Sequence, residues 1–171
     1  RHGVDHWTAR IDASLGIDIG GWQGVAVGDV NGDGLDDVYL PQPGGLPNRL
    51  FLQDAGGTAT DASVEAGVDW LDSTHAALLV DLDNDGDQDL LLSVDPGILI
   101  LANDGKGKFT VASAEFLPAA VPYSLAAADY DSDGDLVAEL AQRLGEQERG
   151  VLVVVDDEHA IWAQLRERER A

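Results

Sequence analysis

Three stretches of this chain put oxygen-bearing side chains at every second position and then turn on a glycine. The fullest is Asp81-Leu82-Asp83-Asn84-Asp85-Gly86-Asp87-Gln88-Asp89. Related stretches run from Asp29 through Asn31, Asp33, Gly34 and Leu35 to Asp37, and from Asp129 through Asp131, Asp133 and Gly134 to Asp135. Alternation turns successive oxygens inward, and the glycine at position 6 lets the backbone double back around a hard cation such as Ca²⁺, which takes six to eight oxygen ligands. A single such stretch reads equally well as a solvated acidic turn. Starts at Asp29, Asp81 and Asp129 recur about every 50 residues, and that periodicity favours metal loops.

Position 12 decides the kind of loop. An EF-hand places a bidentate Glu there and flanks the loop with helices. This chain has Leu40, Leu92 and Leu140 instead. The first two loops carry a carboxylate at position 9, Asp37 and Asp89, where the third has Val137. Short apolar runs border the loops: Val25–Val27 and Asp37–Leu40, Ala77–Val80 and Asp89–Leu92, Leu125–Ala128. Runs of this length bounded by Gly and Asp predict buried strands, so each loop is read as the tip of a β-hairpin.

The elements that position these hairpins repeat. In the first unit a Pro/Gly loop at Pro41–Gly45 precedes a third strand over Asn48–Leu52, a turn at Asp54–Gly57 and a fourth strand over Thr58–Ser63. The second has Ile98–Leu101, Asn103–Gly107 and Lys108–Val111 in the same order. Leu136–Gly150 also fits an amphipathic helix, which would make the C-terminal part resemble the opening of a phospho-receiver domain. The spacing to Val151 and Ala160 instead matches the third and fourth strands of the earlier units.

Four strands per unit, a period near 50 and small residues on the first strand (Ala26, Ala77, Ala126–Ala128) describe β-propeller blades. The reading is an all-β chain of about three four-stranded blades, incomplete or completed by a partner, with room for a helical C-terminal tail. Residues 1–23 are expected to be the outer strand of a preceding blade, 24–75 the first blade, 76–123 the second and 124–171 a divergent third. Three blades and a fraction do not close a ring, and open sheet edges invite self-association.

Gly24–Asp37, Asn48–Gly67, Ala76–Leu92 and Asn103–Thr110 resemble FG-GAP/VCBS-type repeats, the calcium-bearing blades of integrin α-subunits and of cartilage acidic protein-like (ASPIC/UnbV) proteins. Asn48-Arg49-Leu50-Phe51 and the Gly-Thr-x-Thr-Asp segment after it are most similar to the latter group. The resemblance implies an extracellular, periplasmic or cell-surface binding role, often adhesive, without catalysis by the blades. It also implies coordination through the backbone carbonyl of the seventh loop residue: Leu35, Asp87 and Asp135. The expected metal ligands are therefore Asp29, Asn31, Asp33, Leu35 and Asp37; Asp81, Asp83, Asp85, Asp87 and Asp89; and Asp129, Asp131, Asp133 and Asp135. Two Ca²⁺ sites are expected, with the third weaker or empty.

Composition narrows the partners. The chain has 171 residues, 44% of them hydrophobic, enough to bury a core. A formal charge of −22 disfavours nucleic acid, and no apolar run reaches the ~20 residues of a membrane span. A protein or carbohydrate ligand is expected. With no cysteine, no methionine and a first residue of Arg1, the sequence reads as a processed or excised piece. The rival reading, a polysaccharide-active enzyme, would need an acid/base pair outside the loops; His75 with Asp72 and His159 with Asp157 are the candidates. Sequence alone favours a polar surface loop at Asp72–His75.

Overall fold

The computed structural model describes residues 24–95, 97–116, 122–128, 137–144, 147–154 and 162–165. These form three four-stranded antiparallel sheets, each a simple meander. The first contains β1 (Ala26–Gly28), β2 (Asp37–Leu40), β3 (Arg49–Gln53) and β4 (Ala59–Asp61). The second contains β5 (Thr74–Val80), β6 (Asp89–Val94), β7 (Gly97–Asn103) and β8 (Phe109–Phe116). The third contains β9 (Pro122–Ala128), β10 (Val137–Leu144), β11 (Gln147–Val154) and β12 (Trp162–Leu165). The described residues are almost all β, and over Val137–Leu144 the chain is a strand rather than the helix its leucine spacing also allows. The expected outer strand at 1–23 and the helical tail after Leu165 lie outside the described residues.

The first strands of the sheets stand together, with β5 next to both β1 and β9. Small residues suit that position, because three backbones converge there. The main core fills the space between the first two sheets. Ala26, Tyr39 and Leu50 form a row across the first sheet, and Leu79, Leu90 and Leu101 a row across the second. All belong to this core, Leu79 at its edge and the others buried within it, and each fully buried Leu stabilises by about 1.5–3 kcal/mol. The opposite face of the second sheet is apolar too: Leu91 and Ile100 are buried, with β9 lying beside β5 and β6. Double-sided burial explains the unbroken runs Leu90–Leu92 and Ile98–Leu101, whereas β2 is buried only on alternate residues, Asp37 and Tyr39.

Two details depart from the sequence reading. The fourth strand of the first unit stops at Asp61, and Ser63–Ala66 form one helical turn, α1, ended by Gly67 at φ 75°. Ser63 fixes this departure: its hydroxyl accepts the Leu50 N–H at 2.9 Å and donates to Asp61. The polar segment Asp72–His75 is not wholly a surface loop. Thr74 is buried and opens β5, its hydroxyl accepting from Asn48 Nδ2 at 2.8 Å, while Gln42 N–H donates to Asn48 Oδ1 at 2.7 Å. This network joins the two sheets at the end opposite the acidic loops. Among the described residues no helix is long and apolar enough to cross a membrane.

Candidate metal sites

The hairpin geometry follows from the glycines and one asparagine. Position 6 of each described loop is left-handed, Gly34 at φ 83° and Gly86 at φ 96°. Position 4 is left-handed as well, filled by Gly32 at φ 73° in the first loop and Asn84 at φ 57° in the second. Gly and Asn are the residues that enter this region with least strain. The sequence signal at position 4 was available and is as informative as the glycine at 6. The third loop has Ser132 there.

In the second loop, Asp81, Asp83 and Asp89 bring carboxylate oxygens within 4.8 Å of one another. Asp81 Oδ2 accepts the Gly86 N–H at 3.0 Å, while its Oδ1 is buried with no hydrogen-bond partner. Asp83 accepts from Asp85 N–H at 3.2 Å, and Asp85 in turn from Asp87 N–H at 2.9 Å. Asp85 stays outside the three-carboxylate cluster, and the Asp87 side chain lies against Gly105. Burial pushes the Asp83 and Asp89 carboxyls above their usual range, and the neighbouring acids push the same way. A buried unpartnered oxygen amid crowded carboxylates fits a hard, oxygen-seeking cation. The cluster can hold a metal ion.

In the first loop the side chains turn onto the backbone. Asp29 Oδ1 accepts from Gly32 and Asp33 N–H at 2.8 and 3.2 Å, and Oδ2 from Gly34 N–H at 2.8 Å. The Gly34 N–H is the main reason the Asp29 carboxyl lies below its usual value. Asn31 Oδ1 accepts from Asp33 N–H at 3.0 Å, and Asp33 from Leu35 N–H at 2.9 Å. These bonds shape the loop, and with the amide Asn31 at position 3 it lacks the carboxylate that Asp83 supplies in the second. Asp129, Asp131, Asp133 and Asp135 lie outside the described residues. Val137 opens β10 opposite Ala128, as Asp37 opens β2 opposite Gly28 and Asp89 opens β6 opposite Val80.

Position 9 does more than the sequence suggested. Asp37 is 0% exposed and Asp89 4%, and each uses both oxygens as a staple. Asp37 accepts from Val30 N–H at 3.1 Å and Gln53 N–H at 2.8 Å. Asp89 repeats this with Leu82 N–H at 3.1 Å and Asn103 N–H at 2.9 Å. Each carboxylate thus ties its loop to the end of the third strand. Outside the loops, His75 is partly buried, which lowers its basicity, while the charge of Asp95 raises it; Asp72 is exposed. His159 and Asp157 lie outside the described residues.

Four-stranded meanders set side by side, with acidic hairpins at one end, define blades of a β-propeller. The chain is built from FG-GAP-type repeats: residues 21–59 match the FG-GAP repeat family and residues 81–137 the FG-GAP-like repeat family, together more than half of the chain. The matches carry the repeat type, not the narrower likeness to cartilage acidic proteins or to VCBS repeats. No curated protein matches the chain.

Proposed function

We propose that this chain is a calcium-stabilised, non-enzymatic binding scaffold of an extracellular, periplasmic or cell-surface protein, presenting a β-propeller face to a protein or carbohydrate ligand. The observation that carries the calcium reading is Asp81 Oδ1, a buried carboxylate oxygen without a hydrogen-bond partner beside Asp83 and Asp89. Ca²⁺ would neutralise acids that otherwise repel one another and hold the hairpin in one shape. FG-GAP repeats usually occur in extracellular or surface proteins, which supports the location. Calorimetric titration of the chain with Ca²⁺ is expected to give dissociation constants of roughly 10⁻⁴ to 10⁻³ M, as in extracellular modules. No heat of binding at millimolar calcium would refute it.

Affinity should fall from the Asp81 loop to the Asp29 loop to the Asp129 loop. The Asp81 loop has carboxylates at positions 1, 3, 5 and 9; the Asp29 loop has the neutral Asn31 at 3; the Asp129 loop has Val137 at 9. Fewer charges and fewer ligands both weaken a Ca²⁺ site. Val137→Asp, placed at the register position of Asp37 and Asp89, is expected to strengthen the third site, read as added calcium uptake in the same titration. Unchanged uptake together with loss of C-terminal strand signal would mean that Val137 belongs to a core instead.

A further inference from the structure

The turn between β7 and β8 sits between the two described loops. Asn103, 8% exposed, donates one Nδ2 hydrogen to the Val30 carbonyl at 2.8 Å and the other to the Gln88 carbonyl at 3.0 Å. Val30 is position 2 of the first loop and Gln88 position 8 of the second. Two carbonyl acceptors fix the amide orientation, since a flipped group would aim oxygen at oxygen. The rest of the turn is seated the same way. A side chain at Gly107 would touch Val30 and Asn31 at 3.5 and 3.6 Å, and one at Gly105 would collide with Asp87. On the other flank, the Gln88 side chain leaves no room for a Cβ at Gly28 of β1.

These bonds join into one path. Asp89 accepts the Asn103 N–H; the Asn103 amide holds the Val30 carbonyl; Val30 N–H donates to Asp37. The closing carboxylate of one loop is thereby connected to that of the other through a buried side chain. Gln53 occupies the matching position in the first sheet, donating its N–H to Asp37 as Asn103 does to Asp89, but its side chain is exposed. The side-chain bridge is thus specific to Asn103 of these two.

We propose that Asn103 couples the two loops, so that a divalent cation held by Asp81, Asp83 and Asp89 raises the affinity of the Asp29 loop for its own cation. The inference rests on the calcium reading above. Its physical basis is shared ordering: a cation in the second loop immobilises Asp89, Asn103 and Val30, so the first loop has less freedom left to lose when it binds. By linkage the effect is reciprocal.

The test follows each site separately in the full chain titrated with Ca²⁺ alone. Gly34 N–H bonds Asp29 and Gly86 N–H bonds Asp81, so their amide NMR shifts report the first and second loop. Asp83→Asn, at an exposed position, is expected to move the Gly34 midpoint to about fivefold higher calcium, the lower range of coupling between sites. Asn103→Ala should raise the Gly34 midpoint by a similar factor, and in that background Asp83→Asn should no longer move it. Asn103→Ser, which keeps a small polar group, serves if alanine does not fold. A Gly34 midpoint indifferent to Asp83→Asn overturns the coupling and leaves the calcium reading standing. A midpoint still moved in the Asn103 variants assigns the coupling to another path and overturns the role of Asn103. No response of either glycine to millimolar calcium overturns both readings.

Discussion

Asp89→Ala is expected to lower stability by roughly 2–5 kcal/mol in EDTA and by more in calcium, where a metal ligand is lost as well, whereas Asp85→Ala should lower it in calcium and change little in EDTA. The Asp89 carboxylate accepts the Leu82 and Asn103 N–H groups in a nearly closed environment. Its removal strands two donors, and an unsatisfied buried donor costs about 1–3 kcal/mol. Burial also makes the Asp89 charge costly, so the loss in EDTA falls below the full sum. Asp89→Asn should be intermediate, since its amide oxygen can accept from one donor while its NH₂ faces the other. Asp85 is exposed and its carboxylate accepts only the Asp87 N–H among the hydrogen bonds described above, so its metal-free role is small. At about 2–4 °C per kcal/mol for a chain of this size, thermal unfolding separates the outcomes. A loss for Asp89→Ala confined to calcium would reduce it to a ligand; an equal loss in both buffers for Asp85→Ala would make that residue part of the fold.

That double role of position 9 marks the boundary of what the sequence discloses. The hairpins were legible because apolar runs and acidic turns change composition sharply, and the start of β2 falls on Asp37, as the motif requires. The two-sided burial of the second sheet is written in the unbroken runs Leu90–Leu92 and Ile98–Leu101. Less legible were contacts made by single polar residues across long separations. Asn48 read as the first residue of a strand and Thr74 as a loop residue, yet their side chains bond each other between sheets. Asn103 read as the first residue of a turn, because nothing local reveals that its amide reaches Val30, 73 positions away. The helical turn Ser63–Ala66 is too short to carry a period, and its best signal is Gly67 as a left-handed cap.

The same limit applies to the first loop. Carboxylate or amide oxygens alternate in both described loops, and alternation predicts convergence. Only the second gathers three carboxylates, because the first has the amide Asn31 where the second has Asp83; Asp29 also spends its oxygens on the Gly32, Asp33 and Gly34 N–H groups, while Asp81 keeps one unpartnered. The residue at position 3 is legible in the sequence; which backbone donors reach position 1 is not, since both loops carry Asp there.

Moving the protein from EDTA to 10 mM calcium near neutral pH is expected to raise its unfolding temperature by about 10–20 °C, and acid should shrink that increment. A site with a dissociation constant near 10⁻⁴ M contributes about 2.7 kcal/mol at a hundredfold excess, and two loops about twice that. The pH dependence follows from the acids that the fold strips of part of their solvation. Loss of solvation, nearly complete at Asp37 and Asp89 and partial at the exposed Asp83, raises their carboxyls above the ordinary value of 3.8, so the metal-free fold holds their protons more tightly than the unfolded chain does. Their stabilising contribution is fully present below 3.8 and is lost as pH rises through the raised folded values. Asp29 runs the other way: its carboxyl is lowered, and its contribution disappears only as pH falls below 3.8 toward its folded value. As pH falls from neutral toward the raised folded values, these three groups therefore set the slope, aided by relief of a formal charge of −22. The EDTA unfolding temperature should rise over that interval while the calcium increment falls, because protons and cation compete for the same oxygens. Parallel declines in both buffers would show that the ionised acids serve the fold without a cation, and the assignment of Asp81, Asp83 and Asp89 as a metal cradle would fail.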